Sequence, residues 1–468
     1  MPAYEVSDIM ITKTISEFSA GTRYADLPAD AIVAAKKGII DFLGVAIAGS
    51  TTNVARVITE YAAQEHGASD AGIIAGGIRT SPYLAALCNG AIGHALDFDD
   101  ECESWNSHPT TAILPAVLAL AEKSGATGQE VLTSYVVGWE VAARIGAAVY
   151  RKTHDRGSHN TPLVGTLAAA AAGARLLKLN TDRMRTALGI SASQAAGLQA
   201  NVGTETKPLH AGLAASNGVR SAQLAQLGLT ANVDILDDPI GYLMAVAGKD
   251  HPAPDLTGLG TAFDIAASLC IKVYPSCYNN QRPLDSMFHL IKEHEIRVAD
   301  IAAIDLIVHP HQIKVCRYPR PRTGLEGKFS LTYSLAAPLI HGKAGLDEYS
   351  DAKVLDPRVT EFLPRINVVA MDPKVAKPQY SHCDPGQLVT VKLKSGKQYS
   401  YDAGRPKGHA TNPLSWEETS EKFRSCTAGI LSTGDIARCI ELVDRLDKMT
   451  DVSQLMTILA QKPAQSLL

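Results

Sequence analysis

The feature of this sequence that most constrains its fold is a series of alanine- and leucine-rich segments spread over roughly residues 7–265. Apolar residues recur in these segments at helical spacing, and several segments end near Gly or Asn, as helix C-termini commonly do. The clearest segments are 31–48, 82–96, 109–123, 128–149, 162–179 and 208–227. Because Ala and Gly let helices approach closely, this stretch predicts a compact all-α domain.

The hydrophobic pattern changes near Lys272 and becomes typical of a mixed domain. Two helical patterns, at 281–294 and 328–341, lie among β-branched and alternating runs. Strands are predicted at 301–308 and 366–371, and a hairpin at 388–394 and 397–401 with Ser395-Gly396 as its turn.

The segment 406–413 is rich in Pro and Gly and predicts a linker, after which two helices, at 416–427 and 433–449, return to the first domain. The predicted fold class is therefore mainly α. It combines a large all-helical domain, 1–268 with 406–468, and a smaller α/β lid domain, 269–405.

Composition narrows the class of protein. The chain has 468 residues, which predicts two domains, and 44 basic against 48 acidic residues give a net charge of −4, which argues against a nucleic-acid partner. The 46% of hydrophobic residues excludes disorder. No long apolar run predicts a membrane span, and the N-terminal residues carry no secretory signal. Eight cysteines are scattered without a Cys-x-x-Cys pair, which indicates neither a zinc site nor a disulfide framework and predicts reduced thiols in the cytoplasm.

Basic side chains stand at three predicted helix starts. His108 precedes a Pro-Thr-Thr run, His159 precedes a helix with Thr161 as its expected N-cap, and Lys207 shares a first turn with His210. Helix N-termini attract anions, so three such starts together would suit a substrate with two or three carboxylates. The alternative, that these are surface residues at helix starts, explains the pattern less well because cations are mildly unfavourable there.

An acidic cluster precedes His108. The seven residues 97–103 contain five carboxylates: Asp97, Asp99, Asp100, Glu101 and Glu103. Carboxylates beside a basic site can set up general acid–base pairs. A calcium loop is excluded because Cys102 stands where glycine is needed and His108 where a bidentate Glu is needed. A Mg²⁺-diphosphate motif lacks a second metal motif, and a solvated acidic turn is the plain alternative. The sequence therefore predicts no metal.

A third candidate lies at 271–277, where the two predicted domains meet and small-molecule sites are common. Lys272 is expected to bind a carboxylate, or to transfer a proton if burial lowers its pKa. Ser276 and Cys277 are expected to donate hydrogen bonds. A nucleophilic role for Cys277 is the weaker interpretation, because nothing in the sequence indicates a depressed thiol pKa.

Several motifs resemble the signatures of the MmgE/PrpD family along nearly the whole chain. They are Asn-Gly-Ala-Ile-Gly-His-Ala-Leu-Asp-Phe-Asp-Asp at 89–100, His-Pro at 108–109, Gly-Ser-His at 157–159, Thr-Lys-Pro-Leu-His-Ala-Gly at 206–212, Lys-Val-Tyr-Pro-Ser-Cys at 272–277, Lys-Phe-Ser at 328–330, and Pro-Lys-Gly at 406–408 with Asn-Pro at 412–413. The resemblance implies a helical domain with an α/β lid, a homodimer and no organic cofactor.

The family's activities include dehydration of 2-methylcitrate, decarboxylation of cis-aconitate and epimerisation of iminodisuccinate. The positions that match its decarboxylase pocket are Asp97, His108, His159, Lys207 and Lys272. Some positions differ: Cys277 replaces a histidine and Glu101 a threonine of the animal decarboxylase, and Gln281 replaces a histidine common in other members. Tyr318 is off register from the decarboxylase's active-site tyrosine.

The main functional hypothesis is a cofactor-independent lyase, a dehydratase or decarboxylase, acting on a small di- or tricarboxylate. The cations Lys207, His159, His210 and Lys272 hold carboxylates and stabilise developing negative charge, while His108 moves a proton and Asp97 tunes it. The residues expected only to bind substrate are His210, Thr161, Ser276, Cys277 and Glu101. The alternatives are an epimerase of an α-substituted dicarboxylate and a non-catalytic helical binding protein.

Overall fold

A computed structural model describes residues 10–372, 374–375 and 386–462. Most of these residues are helical, which confirms the predicted mainly α fold class. The α-helices in these ranges are α1 (Ile11–Gly21), α2 (Ala29–Gly49), α3 (Asn53–Gln64), α4 (Pro82–His94), α5 (Pro109–Ser124), α6 (Gly128–Asp155), α7 (Asn160–Leu176), α8 (Thr181–Ala192), α9 (Thr206–Leu227), α10 (Tyr242–Ala247), α11 (Asp264–Ser268), α12 (Gln281–His294), α13 (Pro310–Val315), α14 (Gly324–Gly327), α15 (Leu331–His341), α16 (Asp351–Val354), α17 (Pro357–Phe362), α18 (Trp416–Thr427), α19 (Thr433–Asp444) and α20 (Ser453–Leu459).

Short strands accompany the helices. The strands in the described part of the chain are β1 (Ala71–Gly72), β2 (Arg79–Thr80), β3 (Glu101–Cys102), β4 (Leu269–Cys270), β5 (Ile301–Val308), β6 (Ile366–Ala370), β7 (Leu388–Leu393) and β8 (Gln398–Tyr401). Single 3₁₀ turns lie at Tyr24–Asp26, Gln199–Asn201, Tyr278–Asn280, Val298–Asp300, Asp347–Tyr349, Leu363–Arg365 and Leu446–Lys448.

The chain divides into two compact units. The first contains the described residues of Met1–Ala95, Ser104–Leu269 and Ser415–Leu468. The second contains those of Leu96–Glu103 and Cys270–Leu414. The acidic segment Leu96–Glu103 therefore groups with the second unit, although helices of the first unit precede and follow it in sequence.

In the first unit, helix α9 packs closely against α4 and α7 at glycine positions. A Cβ built on Gly212 would lie 2.2 Å from the Leu87 carbonyl oxygen, and one built on Gly90 would lie 2.8 Å from the Gly212 Cα. On the α7 side, a Cβ on Gly218 would lie 2.4 Å from the Ala169 Cβ. These contacts leave no room for larger side chains, so the helix starts that carry the candidate site are held at fixed spacing.

In the second unit, a four-stranded sheet has the order β6-β5-β7-β8. β5 pairs with β6 in parallel and with β7 antiparallel, and β7 pairs antiparallel with β8, so the predicted strands and hairpin are observed. The buried positions Ile304, Leu306 and Val308 of β5 alternate along the strand. Helices α12 and α15 pack on this unit's sheet.

The predicted N-cap at Thr161 is wrong, because α7 begins at Asn160 with His159 as its N-cap. Within the described ranges, no helix is long and apolar enough to cross a membrane. Seven cysteines there are free and buried, and Cys383 lies outside the described residues.

Candidate active site

Three helices of the first unit begin at the basic residues singled out in the sequence. His108 is the N-cap of α5, His159 is the N-cap of α7, and Lys207 is the second residue of α9. The proline that follows each start fits there because it needs no hydrogen-bond acceptor in the first turn. The sequence therefore places each basic side chain where unpaired backbone N–H groups favour an anion.

Four buried imidazoles lie close together in this unit. The ring centroids of His94 and His108 are 4.5 Å apart, and those of His94 and His159 are 6.4 Å apart in a stacked arrangement. The ring centroids of His159 and His210 are 5.3 Å apart. His94 was not among the predicted site residues, although its motif was noted; the Gly-His spacing at the end of an apolar helix was the available signal.

The histidines affect one another's protonation. Burial, together with the positive charge of Lys207 and the neighbouring imidazoles, lowers the pKa of His159 well below its ordinary value. Burial and Lys207 also lower the pKa of His210. His159 and His210 are therefore neutral at pH 7, whereas the sequence-based hypothesis treated them as cations. In the protein without substrate, Lys207 supplies the positive charge beside them.

The hydrogen bond between His159 and His210 joins the two Nδ1 atoms, which are 3.0 Å apart. One Nδ1 must carry the proton and the other must accept it. In the neutral state, one ring then presents a bare Nε2 and the other an Nε2–H. The pair thus offers one hydrogen-bond acceptor and one donor, which suits a substrate that gains or loses a proton.

Thr161 was predicted to bind substrate. In the structure its hydroxyl makes hydrogen-bond contacts with other residues of the protein. Its Oγ1 is 2.7 Å from the Ser107 hydroxyl and accepts a hydrogen bond from the His108 backbone N–H at 3.4 Å. Both Thr161 and Ser107 are buried. The contacts tie the start of α7 to the start of α5, and so fix the backbone of His108.

Lys272 and Asp97 form the centre of the candidate residues in the second unit. The Lys272 ammonium donates to the Asp97 backbone carbonyl at 2.8 Å and lies 3.4 Å from Asp97 Oδ1. Asp97 has a φ of +51°, a left-handed conformation that a non-glycine residue rarely adopts. Because the lysine holds both the backbone and the side chain of this residue, it stabilises the strained turn.

The protonation of Lys272 differs from the sequence-based expectation. Burial lowers its pKa, but the negative charges of Asp97, Asp99 and Glu101 outweigh burial and raise the pKa above its ordinary value. Lys272 is therefore a permanent cation in this protein, and the prediction of a lysine made ready for proton transfer by a lowered pKa is wrong. Glu101 is buried and contributes through its charge.

The segment after Lys272 is held by Gln281 and Lys328. Gln281 Oε1 accepts from the backbone N–H groups of Val273 and Tyr274, at 3.1 and 3.0 Å, and its Nε2 donates to the Tyr274 carbonyl at 3.0 Å and to the Ser276 carbonyl at 3.3 Å. Lys328 donates to the Pro275 carbonyl at 2.7 Å. The glutamine amide supplies both the accepting oxygen and the donating NH₂ group that this segment uses.

Cys277 is buried and has a thiol pKa that is lowered by a hydrogen bond from Cys316 and by Lys272. Its backbone N–H donates to the Lys328 carbonyl at 3.0 Å. The sequence indicated no depressed pKa because the main cause, Cys316, is remote in the chain. Ser276, its neighbour, is fully buried.

Comparison with known proteins identifies the family. Residues 13–255 match the MmgE/PrpD N-terminal domain and residues 274–448 match the MmgE/PrpD C-terminal domain. The chain belongs to the MmgE/PrpD family, as its motifs predicted.

Several curated proteins are similar over most of the chain. The cis-aconitate decarboxylase of Homo sapiens is 29% identical, covering 96% of this chain and 95% of that protein. The cis-aconitate decarboxylase of Aspergillus terreus is 26% identical, with 96% of each chain covered. The 2-methylcitrate dehydratase of Salmonella typhimurium is 23% identical, covering 70% of this chain and 71% of that protein.

Proposed function

We propose that this protein is a lyase that removes CO₂ from a small unsaturated tricarboxylate, with cis-aconitate as the first substrate to test. The relatives named above confirm the broader prediction of an MmgE/PrpD-type lyase acting on a small carboxylate. The observation that carries the proposal is the cluster of Lys207 and neutral histidines at three helix starts, which can hold more than one carboxylate. Full-length similarity to decarboxylases favours decarboxylation.

In the proposed reaction, Lys207 and the helix starts bind the substrate's carboxylates. Loss of CO₂ breaks a carbon–carbon bond and leaves an electron pair on carbon, which the conjugated acid group and the nearby cations stabilise. His108 then delivers a proton to that carbon. The products are CO₂ and an unsaturated dicarboxylate.

The other assigned residues have supporting roles. The neutral His159–His210 pair donates one hydrogen bond to the substrate, through the Nε2 that carries the proton. Thr161 fixes the backbone of His108. Lys272 supplies a second permanent positive charge, and Asp97 holds its ammonium. Ser276, Cys277 and Glu101 are retained as candidates for substrate binding, although their contacts described above are within the protein.

Dehydration of 2-methylcitrate is the second candidate, since dehydratases of that acid are also relatives. It uses the same carboxylate-binding cations but breaks a carbon–oxygen bond after proton removal. The replacement of a decarboxylase histidine by Cys277 favours testing it beside the first candidate.

Proton NMR in D₂O distinguishes these reactions. The purified protein is incubated with cis-aconitate, with 2-methylcitrate and with iminodisuccinate in separate tubes, with EDTA present. Loss of cis-aconitate with CO₂ release supports decarboxylation, and new vinyl signals from 2-methylcitrate support dehydration. Deuterium at an α-carbon without net conversion, seen with iminodisuccinate, would replace the lyase proposal by an epimerase, and no change with any acid would contradict the proposed substrates.

We further propose that the protein acts in the cytoplasm as a homodimer. The free, buried cysteines are consistent with a reducing compartment, and the dimer follows from the family resemblance. Light scattering of the purified protein tests the dimer, and a mass of about one chain, 49.6 kDa, would contradict it.

A further inference from the structure

We propose that the 405–412 loop, which overlaps the linker predicted at 406–413, is a positioning element for the Lys272–Asp97 pair. The proposal rests on the proposed function, because it concerns residues assigned to that reaction. The positioning residues are Glu103, Arg405 and His409, which do not themselves touch the substrate. All of them belong to the second unit.

The loop holds the end of the acidic segment Leu96–Glu103. Arg405 Nη1 donates to Glu103 Oε1 at 2.7 Å, and His409 Nε2 lies 2.7 Å from Glu103 Oε2. The backbone N–H of Thr411 donates to His409 Nδ1 at 3.0 Å, so the ring proton is on Nε2 and points to Glu103. His409 is fully buried. A buried imidazole in a defined tautomer is a rigid anchor and is not typical of a flexible linker.

The protonation of Glu103 supports this anchor. Burial alone raises its pKa, but the hydrogen bond from His409 and the charge of Arg405 outweigh burial and lower the pKa to about 2. Glu103 is therefore a carboxylate throughout the pH range in which an enzyme of this kind works. The contact between the acidic segment and the loop is charge-assisted at every working pH.

The same loop also holds the chain next to Lys272. The Ile271 backbone N–H donates to the Gly408 carbonyl at 2.8 Å, and the Gly408 N–H donates to the Asn412 carbonyl at 2.9 Å. Gly408 has a φ of +88°, and a Cβ built there would lie 1.9 Å from the Ile271 carbonyl oxygen. Glycine is thus required both by the backbone conformation and by the close approach to Ile271.

The two contacts act on the two members of one pair. Ile271 directly precedes Lys272, and Glu103 ends the segment in which Asp97 adopts its left-handed turn. The loop therefore fixes both backbones from outside, while the lysine–aspartate contact joins them directly. Loosening the loop should displace the ammonium from its working position without removing any charged group from the reaction.

The test compares Glu103→Gln and His409→Asn with Asp305→Asn. Asparagine at 409 can still accept from the Thr411 N–H but cannot reach Glu103. Asp305 pairs with Lys392 at 2.5 Å in the sheet of the same unit, so its variant removes a comparable charge pair away from the loop. Hydrogen–deuterium exchange by mass spectrometry is measured on peptides covering 96–103 and 270–274, and kcat and KM are measured on the substrate found by NMR.

Both loop variants are expected to exchange faster in these two peptides and to lose about 100-fold in kcat with little change in KM, since a displacement of about 1 Å can cost that much. Asp305→Asn should leave both peptides and kcat unchanged. The amide of His409→Gln reaches the position of Nε2, so the kcat of this variant should be at least ten times that of His409→Asn.

Unchanged exchange in both peptides of the loop variants, or the same change in Asp305→Asn, would overturn the positioning role. A fall in kcat that His409→Gln does not restore would also overturn it. Exchange needs no substrate, so it decides this proposal even if the wild-type protein converts none of the acids tested. A wild-type protein that converts none of the acids would contradict the proposed function and leave the positioning role of the loop standing.

Discussion

The Nδ1 atoms of His159 and His210 lie 3.0 Å apart, so the two imidazoles form one hydrogen-bonded unit with a single shared proton between them. Because both pKa values are lowered, this unit is neutral before substrate binds. An incoming carboxylate then meets one N–H donor and the Lys207 ammonium in place of three cations. This arrangement lowers the repulsion within the empty site and leaves capacity to take up a proton when the anion arrives.

Substitution of His210 tests this hydrogen-bonded unit. Asparagine can keep the contact with His159 Nδ1 but has nothing at the position of Nε2, whereas glutamine reaches that position. His210→Asn is expected to raise KM by about 10- to 150-fold, the loss of one hydrogen bond to a charged group. His210→Gln should lose less. Steady-state kinetics on the tricarboxylate substrate measures both, and equal KM values for the two variants would contradict the assignment.

The lowered pKa values predict how stability depends on pH. In the unfolded chain these histidines titrate near their ordinary pKa of about 6.5, and in the folded protein they titrate lower. As the pH falls below about 6.5, the unfolded state binds more protons, so stability decreases until the folded pKa values are reached. Thermal unfolding from pH 7.5 to 5 should show a falling Tm.

A tricarboxylate ligand should reduce this fall in Tm, because an anion favours the protonated imidazoles. His159→Gln is the matched variant: it removes one titrating group and should flatten the pH dependence without ligand. A Tm that rises toward pH 5 in the wild-type protein would be opposite in sign to the expectation.

Lys272→Met should be strongly destabilising. It removes the counter-charge of buried Asp97 and its acidic neighbours, and breaking a buried ion pair by removing one partner costs about 3–5 kcal/mol. Urea unfolding of the variant and the wild-type protein at pH 7.5 measures this loss of stability.

Lys422→Met provides the control for the Lys272 variant. Lys422 forms a buried ion pair with Asp41 at 2.6 Å in the first unit, and neither residue is assigned a role in the reaction. The Lys422→Met variant is expected to lose about 3–5 kcal/mol of stability and to keep its kcat. The Lys272→Met variant should lose both stability and kcat. Full turnover in a folded Lys272→Met protein would remove this lysine from the reaction.

Gly408 in the 405–412 loop and Gly404 just before it allow backbone strain to be separated from steric contact. Gly404 and Gly408 both have positive φ values, +66° and +88°, but a Cβ on Gly404 meets nothing within 4 Å. In either alanine variant, the left-handed backbone conformation should lower the free energy of unfolding by about 1–3 kcal/mol. Gly408→Ala should lose more, and should also lower kcat because it displaces Ile271. Chemical denaturation measures the free energy of unfolding of both variants, and steady-state kinetics measures their kcat. Equal stability and equal kcat in the two variants would contradict this expectation.

The secondary structure was largely predictable because local signals marked its ends. The strand at Ile301–Val308 and the helix at Trp416–Thr427 have the predicted bounds, and the helix is set by a Ser415–Glu418 capping box. The start of α7 was misplaced by two residues because a threonine before a proline imitates an N-cap, whereas the observed N-cap, His159, makes no side-chain cap contact.

The electrostatics of the site were less predictable because they depend on residues far apart in sequence. Lys272 and Asp97 are 175 positions apart, and Glu103 and His409 are 306 apart. The sequence alone identified most of these residues as candidates for binding or catalysis. It could not show that carboxylates outweigh burial at Lys272, or that two histidines share one proton, since both results follow from tertiary packing.

The contact between Gly90 and Gly212 has a consequence for how this site can change. His94 ends one of the two helices that meet there, and Lys207 and His210 lie in the first turns of the other. A single added methyl group would push the helices apart and separate these side chains together. Mutational tolerance should therefore be lowest at two positions that carry no functional group, and variants with altered substrate choice are better sought at the helix starts themselves.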